Sequence, residues 1–201
     1  MSGEHPPEAP LFSFGGYSVH ALSPASVPTI QRFFEANPDY FLTVHGVPPR
    51  SDEAQQEFEH RPPAFMPYSH QWFLGFYDGD DELGAFAVIL SDFIASNVWH
   101  LGLFMLAGKL RRTGASETLY RGLESWMRGQ GAKWIRLGVV EGNEPAERFW
   151  RNMSYTEVRK RSDVDTGVRR HTISVRVKVL ADSPLSRYFS LVPRDDPNVS
   201  Q

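Results

Sequence analysis

The 201-residue chain contains no cysteine, which excludes disulfides, thiolate metal sites and a cysteine nucleophile. No stretch reaches the ~18 consecutive apolar residues of a membrane span. The opening sequence MSGEHPPEAP lacks the apolar segment of a secretory signal peptide. We therefore expect a cytoplasmic protein without a membrane partner.

Positive charge is not in excess either, since the formal net charge is -3. A nucleic-acid-binding protein usually carries a basic surface. Basic residues gather between Arg159 and Lys178, but Glu157, Asp163 and Asp165 dilute them. We interpret this segment as a solvated or edge-protected strand face and expect no nucleic-acid partner. The histidines lack the spacing of metal ligands, so we also expect no metal.

The apolar periodicity predicts a regular order of elements between two segments of different composition. The order is a strand, two helices, three strands, a helix, a strand, a helix and two strands. This order predicts an α/β sheet with helices on both faces. Residues 1–12 are rich in proline, and we expect a flexible arm there. We expect residues 13–181 to form a single domain and residues 182–201 to form a C-terminal tail. Within the tail, Tyr188 and Val192 could pack against the domain.

The loop after the apolar strand that ends at Leu106 has the chemistry of a phosphate site. Arg111 and Arg112 supply charge-assisted hydrogen bonds, and Gly114 permits a close approach to the backbone. A helix begins directly after the loop, and its free N–H groups and positive dipole end favour an anion. An ordinary strand-to-helix loop with solvated arginines is the alternative, because neither a P-loop nor a G-x-G-x-x-G pattern is present.

Two motifs in this part of the chain resemble the GNAT superfamily of N-acetyltransferases. The first is an apolar strand followed by Arg-x-x-Gly-x-Ser at Arg111–Ser116. The second, about 30 residues later, is Asn-x-x-Ala-x-x-Phe-Trp at Asn143–Trp150, followed by Ser154-Tyr155. Both halves stand in the order typical of the family. The resemblance covers roughly residues 17–180 and implies a mixed, mostly antiparallel central sheet of six to seven strands with helices on both faces.

The sequence departs from the family pattern at four places. Ser116 replaces a Gly or Ala, Gly108 a common Pro, and Ser154-Tyr155 a Gly-Phe pair. The main departure is Trp150, which stands where many members carry a Tyr that serves as the acid for the leaving thiolate. Indole has no acidic proton to give. A thiol of pKa around 8.5 is nevertheless a fair leaving group without an acid.

The resemblance implies that acetyl-CoA is the cosubstrate and that a primary amine, by default that of a small molecule, attacks the thioester in a ternary complex. A backbone N–H near Phe104–Leu106 would stabilise the charge that develops on the carbonyl oxygen. The residues implied to bind acetyl-CoA are Phe104, Met105, Leu106, Arg111, Arg112, Thr113, Gly114, Ala115, Ser116, Asn143, Phe149 and Trp150.

The base that takes the proton of the attacking amine is open at this level. His100 has the right intrinsic pKa, Glu141 follows the next strand, and Asp92 follows the hairpin; a water chain is a further alternative. We expect the acceptor pocket near the first two helices, where the aromatic residues are Phe33, Phe34, Tyr40, Phe41, Trp72 and Phe73.

Other functions also remain open for this sequence. One is a CoA-binding protein of the same fold without acetyltransferase activity; the others are a nucleotide-dependent transferase and an interaction domain without a small ligand. A homodimer is a further expectation, mediated by an exposed last strand or by the aromatic C-terminal segment.

Overall fold

The computed structural model describes residues 9–180 and 182–199. The helices in these ranges are α1 (Val27–Ala36), α2 (Asp39–Val44), α3 (Glu53–Glu59), α4 (Ala115–Gly129), α5 (Glu144–Asn152) and α6 (Leu185–Leu191). The strands are β1 (Phe12–Phe14), β2 (Tyr17–Ala21), β3 (His70–Tyr77), β4 (Leu83–Ser91), β5 (Val98–Leu106), β6 (Trp134–Val140), β7 (Thr156–Asp165) and β8 (Arg170–Val179).

The strands within the described ranges form one eight-stranded sheet in the order β1-β2-β3-β4-β5-β6-β8-β7. Neighbours are antiparallel except β5 and β6, which are parallel. The predicted fold class is confirmed. The sheet has one strand more than expected, because β1 pairs with β2 at the edge and Phe12 stacks on Trp126, with 5.5 Å between the ring centroids.

Each face of the sheet is covered by a different group of helices. The amphipathic helix α4 buries Leu119, Leu123 and Met127 on one face, as their i, i+4, i+8 spacing predicts, and α5 covers the same face. Helices α1, α2 and α3 cover the other face. The short helix α2 is absent from the sequence prediction, in which Asn37-Pro38 marks only the end of α1.

A bulge at Gly102 changes which face each side chain of β5 reaches. The pairing with β4 shifts between Val88 and Ile89, which pair with Leu103 and Leu101. A bulge inserts one unpaired residue and re-aims the side chains that follow it. Leu101 therefore packs on the α4 face, whereas Leu103 packs on the α1–α3 face.

The parallel pair β5–β6 separates halfway along its length. The two strands pair from Val98 with Trp134 to Leu101 with Leu137. Beyond this point β5 stays paired with β4 as far as Leu106, and β6 stays paired with β8 as far as Val140. Each strand follows its other neighbour, so a cleft opens between them.

The segment expected to be a C-terminal tail packs onto the sheet over residues 182–199. Tyr188 and Val192 are fully buried against Trp134 and Val158. The Nε1–H of Trp134 donates to the carbonyl oxygen of Ser183 at 3.0 Å. The boundaries of the 13–181 domain stay a prediction. Residues 1–8, most of the predicted arm, and residues 181, 200 and 201 lie outside the described residues.

No helix in the described ranges is long and apolar enough to cross a bilayer.

Candidate functional site

The cleft between β5 and β6 has a volume of about 230 Å³, and most of the side chains around it are apolar. In an antiparallel pair, alternate amide groups point away from the partner strand. Beyond Leu101, the groups of β5 that point away from β4 therefore face this cleft without a strand to pair with. The side chains around the cleft belong to Tyr40, Val44, Leu101, Leu103, Phe104, Leu137, Val139, Val140, Asn143, Ala146, Trp150 and Ile173.

The predicted strand residues contribute to this region in different ways. Phe104 lines the cleft and packs towards α4. Met105 is buried on the opposite face of the sheet, and Leu106 packs with the α4 side. Only main-chain groups of Met105 and Leu106 are therefore suited to contact a ligand in the cleft.

The predicted phosphate loop leads directly into α4. Gly114 stands at the N-cap with φ of 87°, and a Cβ at this position would meet nothing within 4 Å. The N-cap residue Gly114 has no side chain to cap the helix, so the N–H groups of the first turn other than that of Ala115 remain available. The Thr113 hydroxyl donates to the Leu110 carbonyl oxygen at 2.7 Å and accepts from the N–H of Ala115 at 3.3 Å. This turn fixes the backbone that a phosphate would contact.

The charged residues of the loop are exposed. Arg111 forms an ion pair with Asp39, whereas Arg112 has a positive φ of 62°. Ser116 is half-buried in the first turn of α4. The loop is tied to the end of α1, because the N–H of Gly108 donates to Oδ1 of Asn37 at 2.6 Å. The predicted loop residues are thus brought together, with Arg111 already engaged by a carboxylate.

Helix α5 places the second predicted motif on the other side of the cleft. Oδ1 of Asn143 accepts from the N–H of Ala146 at 3.4 Å and caps the helix. Trp150 lines the cleft and packs edge-on against Tyr120, with 5.2 Å between the ring centroids. Phe149 stacks on Phe104 at 6.5 Å. Asn143 thus has a structural role as a cap in addition to its place at the cleft.

A second, larger cavity of about 490 Å³ lies next to the cleft. Tyr40, Gly102 and Leu103 line both spaces, and this shared border is called the junction below. The cavity lies between the sheet and the helices α2 and α3. Its apolar walls include Phe34, Phe41, Met66, Val88, Leu90 and Phe93.

Glu57 on α3 is the most unusual titratable group in the larger cavity. It makes no hydrogen bond or ion pair with the described part of the chain. Burial, together with the negative charge of Glu53, raises the pKa of Glu57 to about 7. Burial raises the pKa of the Tyr40 hydroxyl, and the negative charges of Glu57 and Glu53 add to this effect, so Glu57 lies within electrostatic range of this junction residue. A carboxyl group of this kind can exchange a proton near neutral pH.

His100 also lines the larger cavity, on the α1–α3 face of the sheet. Its Nδ1 lies 3.0 Å from the carbonyl oxygen of Arg136, and its ring stacks on Phe93 at 4.6 Å. Burial lowers the pKa of His100 to about 3, and the positive charge of Arg136 acts in the same direction. His100 is therefore neutral at physiological pH and a weak base.

The other two predicted bases have partners outside the cavity. Glu141 is exposed after β6 and forms an ion pair with Lys160. Oδ1 of Asp92 accepts from the N–H of Asn97 at 2.6 Å and stabilises a turn. Neither residue lines the cleft or the larger cavity.

The predicted aromatic pocket is only partly assembled. Phe34, Tyr40 and Phe41 line the larger cavity. Phe33 and Phe73 belong to the hydrophobic core beneath it. Trp72 lies on the opposite face, in edge contact with Trp126 at 5.4 Å.

Glu57 was missed by sequence reasoning, as were Gln71 and Arg161. Glu57 belongs to a strongly polar helix in which its neighbours are also charged, and Arg161 lies in the basic segment interpreted as a solvated strand face. A weak signal was available for α3, where the i, i+4 pair Ala54 and Phe58 marks its buried side. Glu57 precedes Phe58 and therefore lies at the border of that side.

Comparisons with known proteins agree with this architecture. The model of the family described as "Acetyltransferase (GNAT) family" matches residues 30–155, more than half of the chain. No curated protein sequence matches significantly.

Three solved structures illustrate the similarity of fold. An acetyltransferase from Thermus thermophilus is 16% identical, with a TM-score of 0.64 over 84% of this chain and 100% of that one. The ribosomal-protein-S18-alanine N-acetyltransferase of Escherichia coli is 13% identical, with a TM-score of 0.59 over 84% and 96%. Spermidine N-acetyltransferase of Vibrio cholerae, in complex with CoA and spermine, is 12% identical, with a TM-score of 0.63 over 82% and 95%.

Proposed function

Because the chain belongs to the GNAT family of acetyltransferases, we propose that it transfers the acetyl group of acetyl-CoA to a primary amine of a small molecule. The observation that carries this proposal is the junction at Tyr40, Gly102 and Leu103. There, a cleft with unpaired main-chain groups meets a cavity that contains an ionisable carboxyl group. A thioester in the cleft and an amine in the cavity would come into contact at this point.

The residues along the cleft fit acetyl-CoA, which supplies a thioester-linked acetyl group. The N–H groups at the start of α4 and the open space at Gly114 suit its pyrophosphate. The free edge of β5 beyond Leu101 suits the amide groups of its pantetheine arm. Asn143 and Trp150 would line the other side of that arm.

We assign the general base to Glu57 in preference to the bases predicted from the sequence. An ammonium group cannot attack a carbonyl, so its proton must first leave. Glu57 lines the cavity near the junction and has a pKa of about 7. His100 is too weak a base, and Glu141 and Asp92 lie elsewhere. The proton passes from the ammonium nitrogen to the Glu57 carboxylate, directly or through a water molecule.

The nitrogen then attacks the thioester carbonyl carbon, a C–N bond forms and the C–S bond breaks. The main-chain N–H groups of β5 near Phe104–Leu106 would stabilise the charge on the carbonyl oxygen. Trp150 cannot protonate the leaving thiolate, but its indole N–H has no acceptor in the described part of the chain and can donate a hydrogen bond. The hydroxyl groups of Tyr120 and Tyr155 bond to each other at 2.8 Å in the core, and burial raises both pKa values.

The structural neighbours act on different kinds of amine, a polyamine in one case and the alanine of a ribosomal protein in another. At 13% and 12% sequence identity, neither acceptor can be assigned to this chain. The cavity of about 490 Å³ is of the size that holds small ligands. The homodimer and the cytoplasmic location stay predictions.

The proposal is tested by thermal unfolding with acetyl-CoA, CoA, ATP and NAD, followed by release of free CoA from acetyl-CoA on a panel of amines. A ligand at 100 times its dissociation constant adds about 2.7 kcal/mol to the free energy of unfolding. We expect this shift with acetyl-CoA and CoA only, and amine-dependent release of CoA. Stabilisation without turnover on any amine would instead identify a CoA-binding protein. The absence of any shift in a folded protein at saturating acetyl-CoA would overturn the proposal.

A further inference from the structure

The larger cavity has ionisable groups of opposite sign along its wall. Glu57 is the carboxylate near the junction with the cleft. Arg161 of β7 also lines the cavity, and like Glu57 it makes no hydrogen bond or ion pair with the residues that the structure describes. The two groups do not pair with each other. A folded protein rarely leaves two opposite, half-buried charges unpaired within one cavity, because each loses hydration without gaining a partner.

The neighbours of Arg161 cannot neutralise it. Burial lowers the pKa of Arg161, and the guanidinium groups of Arg136, Arg194 and Arg159 lower it further. The carboxylate in this region belongs to Asp195. It is already bonded to Nε of Arg136 at 2.7 Å and to the Tyr188 hydroxyl at 2.6 Å.

Asp195 also lies 3.9 Å from Nη1 of Arg159. The arginines around Asp195 therefore keep a net positive charge. Among them, Arg161 lines the cavity and has no hydrogen-bond acceptor in the described part of the chain.

The wall also contains a hydrogen-bond acceptor that lacks a donor. The amide oxygen of Gln71 is buried without a partner, and Gln71 lines the same cavity. An unpaired buried acceptor is costly. That oxygen has no surface accessible from the cavity, so the acceptor that favours a ligand with N–H groups is the Glu57 carboxylate. The cavity thus offers an acceptor for an amine and, separately, a donor for an anion.

We propose that the acceptor is a zwitterion, an amine that also bears a carboxylate. The carboxylate pairs with the guanidinium of Arg161, while the amino group approaches Glu57 and the junction with the cleft. A single free guanidinium matches the single charge and the two oxygens of a carboxylate. This inference rests on the proposed function, because it names the chemical class of the acceptor for the same site.

The test compares amino acids with the amines that lack their carboxylate. The pairs are glycine and methylamine, β-alanine and ethylamine, γ-aminobutyrate and propylamine, ε-aminocaproate and pentylamine, leucine and isoamylamine, and phenylalanine and phenethylamine. The first four pairs vary the distance between the two charges, and the last two add apolar groups that suit the cavity walls. Acetylation is measured as kcat/KM, and binding to the complex with CoA is measured by calorimetry.

We expect at least one amino acid to be preferred over its amine partner by about tenfold or more, the effect of a charge-assisted hydrogen bond. In Arg161→Gln this preference falls to about one, and Arg161→Lys retains part of it because the charge remains. Arg187→Gln, an exposed arginine on α6, serves as the control and keeps the wild-type ratio.

The inference is overturned if every amine equals or exceeds its amino acid, if the preference survives in Arg161→Gln, or if no amino acid binds. These results are distinct from failure of the proposed function. Acetylation of the simple amines without a preference for the amino acids would reject the zwitterion and leave the acetyltransferase intact. Binding of an amino acid through Arg161 without acetyl transfer would reject the acetyltransferase and leave the zwitterion site intact.

Discussion

The cleft between β5 and β6 and the cavity next to it are built from different kinds of chemical group. The cleft offers the free edge of β5, and the loop that follows β5 offers the start of α4 and the open position at Gly114, all of them main-chain groups. The cavity offers side chains that come from distant elements, among them Glu57 of α3 and Arg161 of β7. Main-chain groups do not depend on which side chains are present, so substitutions can change the cavity and leave the cleft intact. We infer that the fold determines the donor of the acetyl group and the side chains determine its acceptor.

The two regions also differ in what holds them in place. The cleft follows from strand pairing, since each of β5 and β6 stays with its outer neighbour. The cavity depends on long-range side-chain contacts. The hydroxyl of Thr166, between β7 and β8, donates to the carbonyl oxygen of Val44 in α2 at 2.8 Å. Arg136 is fixed by Asp195 of the C-terminal segment. The cavity should therefore be the more sensitive region to single substitutions.

The largest effect is expected from Glu57→Gln, which removes the proposed base and keeps the shape of the side chain. A general base contributes about 10²–10⁴-fold to the rate, and we expect kcat/KM at neutral pH to fall within that range. Because the base must be deprotonated, the wild-type rate should rise with pH through about 7, the pKa that burial and Glu53 give to Glu57. The variant should lose this rise.

Glu59→Gln is the matched control, since Glu59 lies on the same helix and is exposed. It should leave both the rate and the pH profile unchanged. Acetyl-CoA binding should be equal in all three proteins. If Glu57→Gln kept the wild-type rate and its rise with pH, the base would have to be a group other than Glu57.

The next largest effect is expected from Asp195→Asn, which breaks a buried ion pair and leaves Arg136 without compensation. Burial alone would raise the pKa of Asp195, but hydrogen bonds and charge attraction from Arg136 outweigh it and lower the pKa. Breaking such a pair costs about 3–5 kcal/mol, or a fall in Tm of about 6–20 °C for a chain of this size. Thermal unfolding measures this loss.

Asp196→Asn is the control for that change, because Asp196 is a neighbouring carboxylate that bonds only to Asn198 within the described part of the chain. The same variant also has an expected effect on ligand binding. In folded Asp195→Asn, KM for the acceptor should rise while the affinity for CoA stays at its wild-type value. Equal weakening of both ligands would contradict the separation of the two regions.

A smaller effect, confined to the cleft, is expected from Gly114→Glu. The carboxylate would stand at the start of α4, where the pyrophosphate of acetyl-CoA is proposed to bind, and a side chain with φ of 87° is strained. We expect the ~2.7 kcal/mol of stabilisation by saturating CoA to disappear. Gly131→Glu is a close control, with a φ of 97° and no atom within 4 Å of a Cβ, at the far end of the same helix. A CoA-dependent shift that survives in Gly114→Glu would place the cofactor elsewhere.

The contrast between main-chain and side-chain sites also explains what the sequence could predict. The phosphate loop at Arg111–Ser116 and the cap at Asn143 are local, because each motif lies on a single turn next to a helix start. Local geometry follows from local sequence, and a helix was predicted after each motif, although the cap by Asn143 was not. The confirmed family and fold class rest on the same motifs and on the order of the apolar segments.

The cavity could not be predicted in this way, because its character depends on contacts between distant segments. The bulge at Gly102 decides that His100 and Leu103 both reach the α1–α3 face. The isolated glycine in the strand is a local sign of a bulge, but it does not tell which distant groups the re-aimed side chains meet. The low pKa of His100 follows from burial and from Arg136, which lies on a different strand. Glu57 has a raised pKa for the same kind of reason, and in the sequence it is one more charge on a polar helix.

The smallest effect is expected at Trp150, where the cleft uses a side chain. If the indole N–H donates a hydrogen bond to the leaving thiolate, Trp150→Phe removes the donor and keeps an aromatic ring. A hydrogen bond to a charged group contributes about 1.5–3 kcal/mol, and competing solvent reduces it, so kcat should fall about tenfold with little change in KM for acetyl-CoA. Trp150→Tyr restores a donor and should recover most of the rate. Equal rates in Trp150→Phe and the wild type would mean that the thiolate leaves without a side-chain donor, which would leave main-chain groups as the hydrogen-bond donors of the cleft and sharpen its contrast with the cavity.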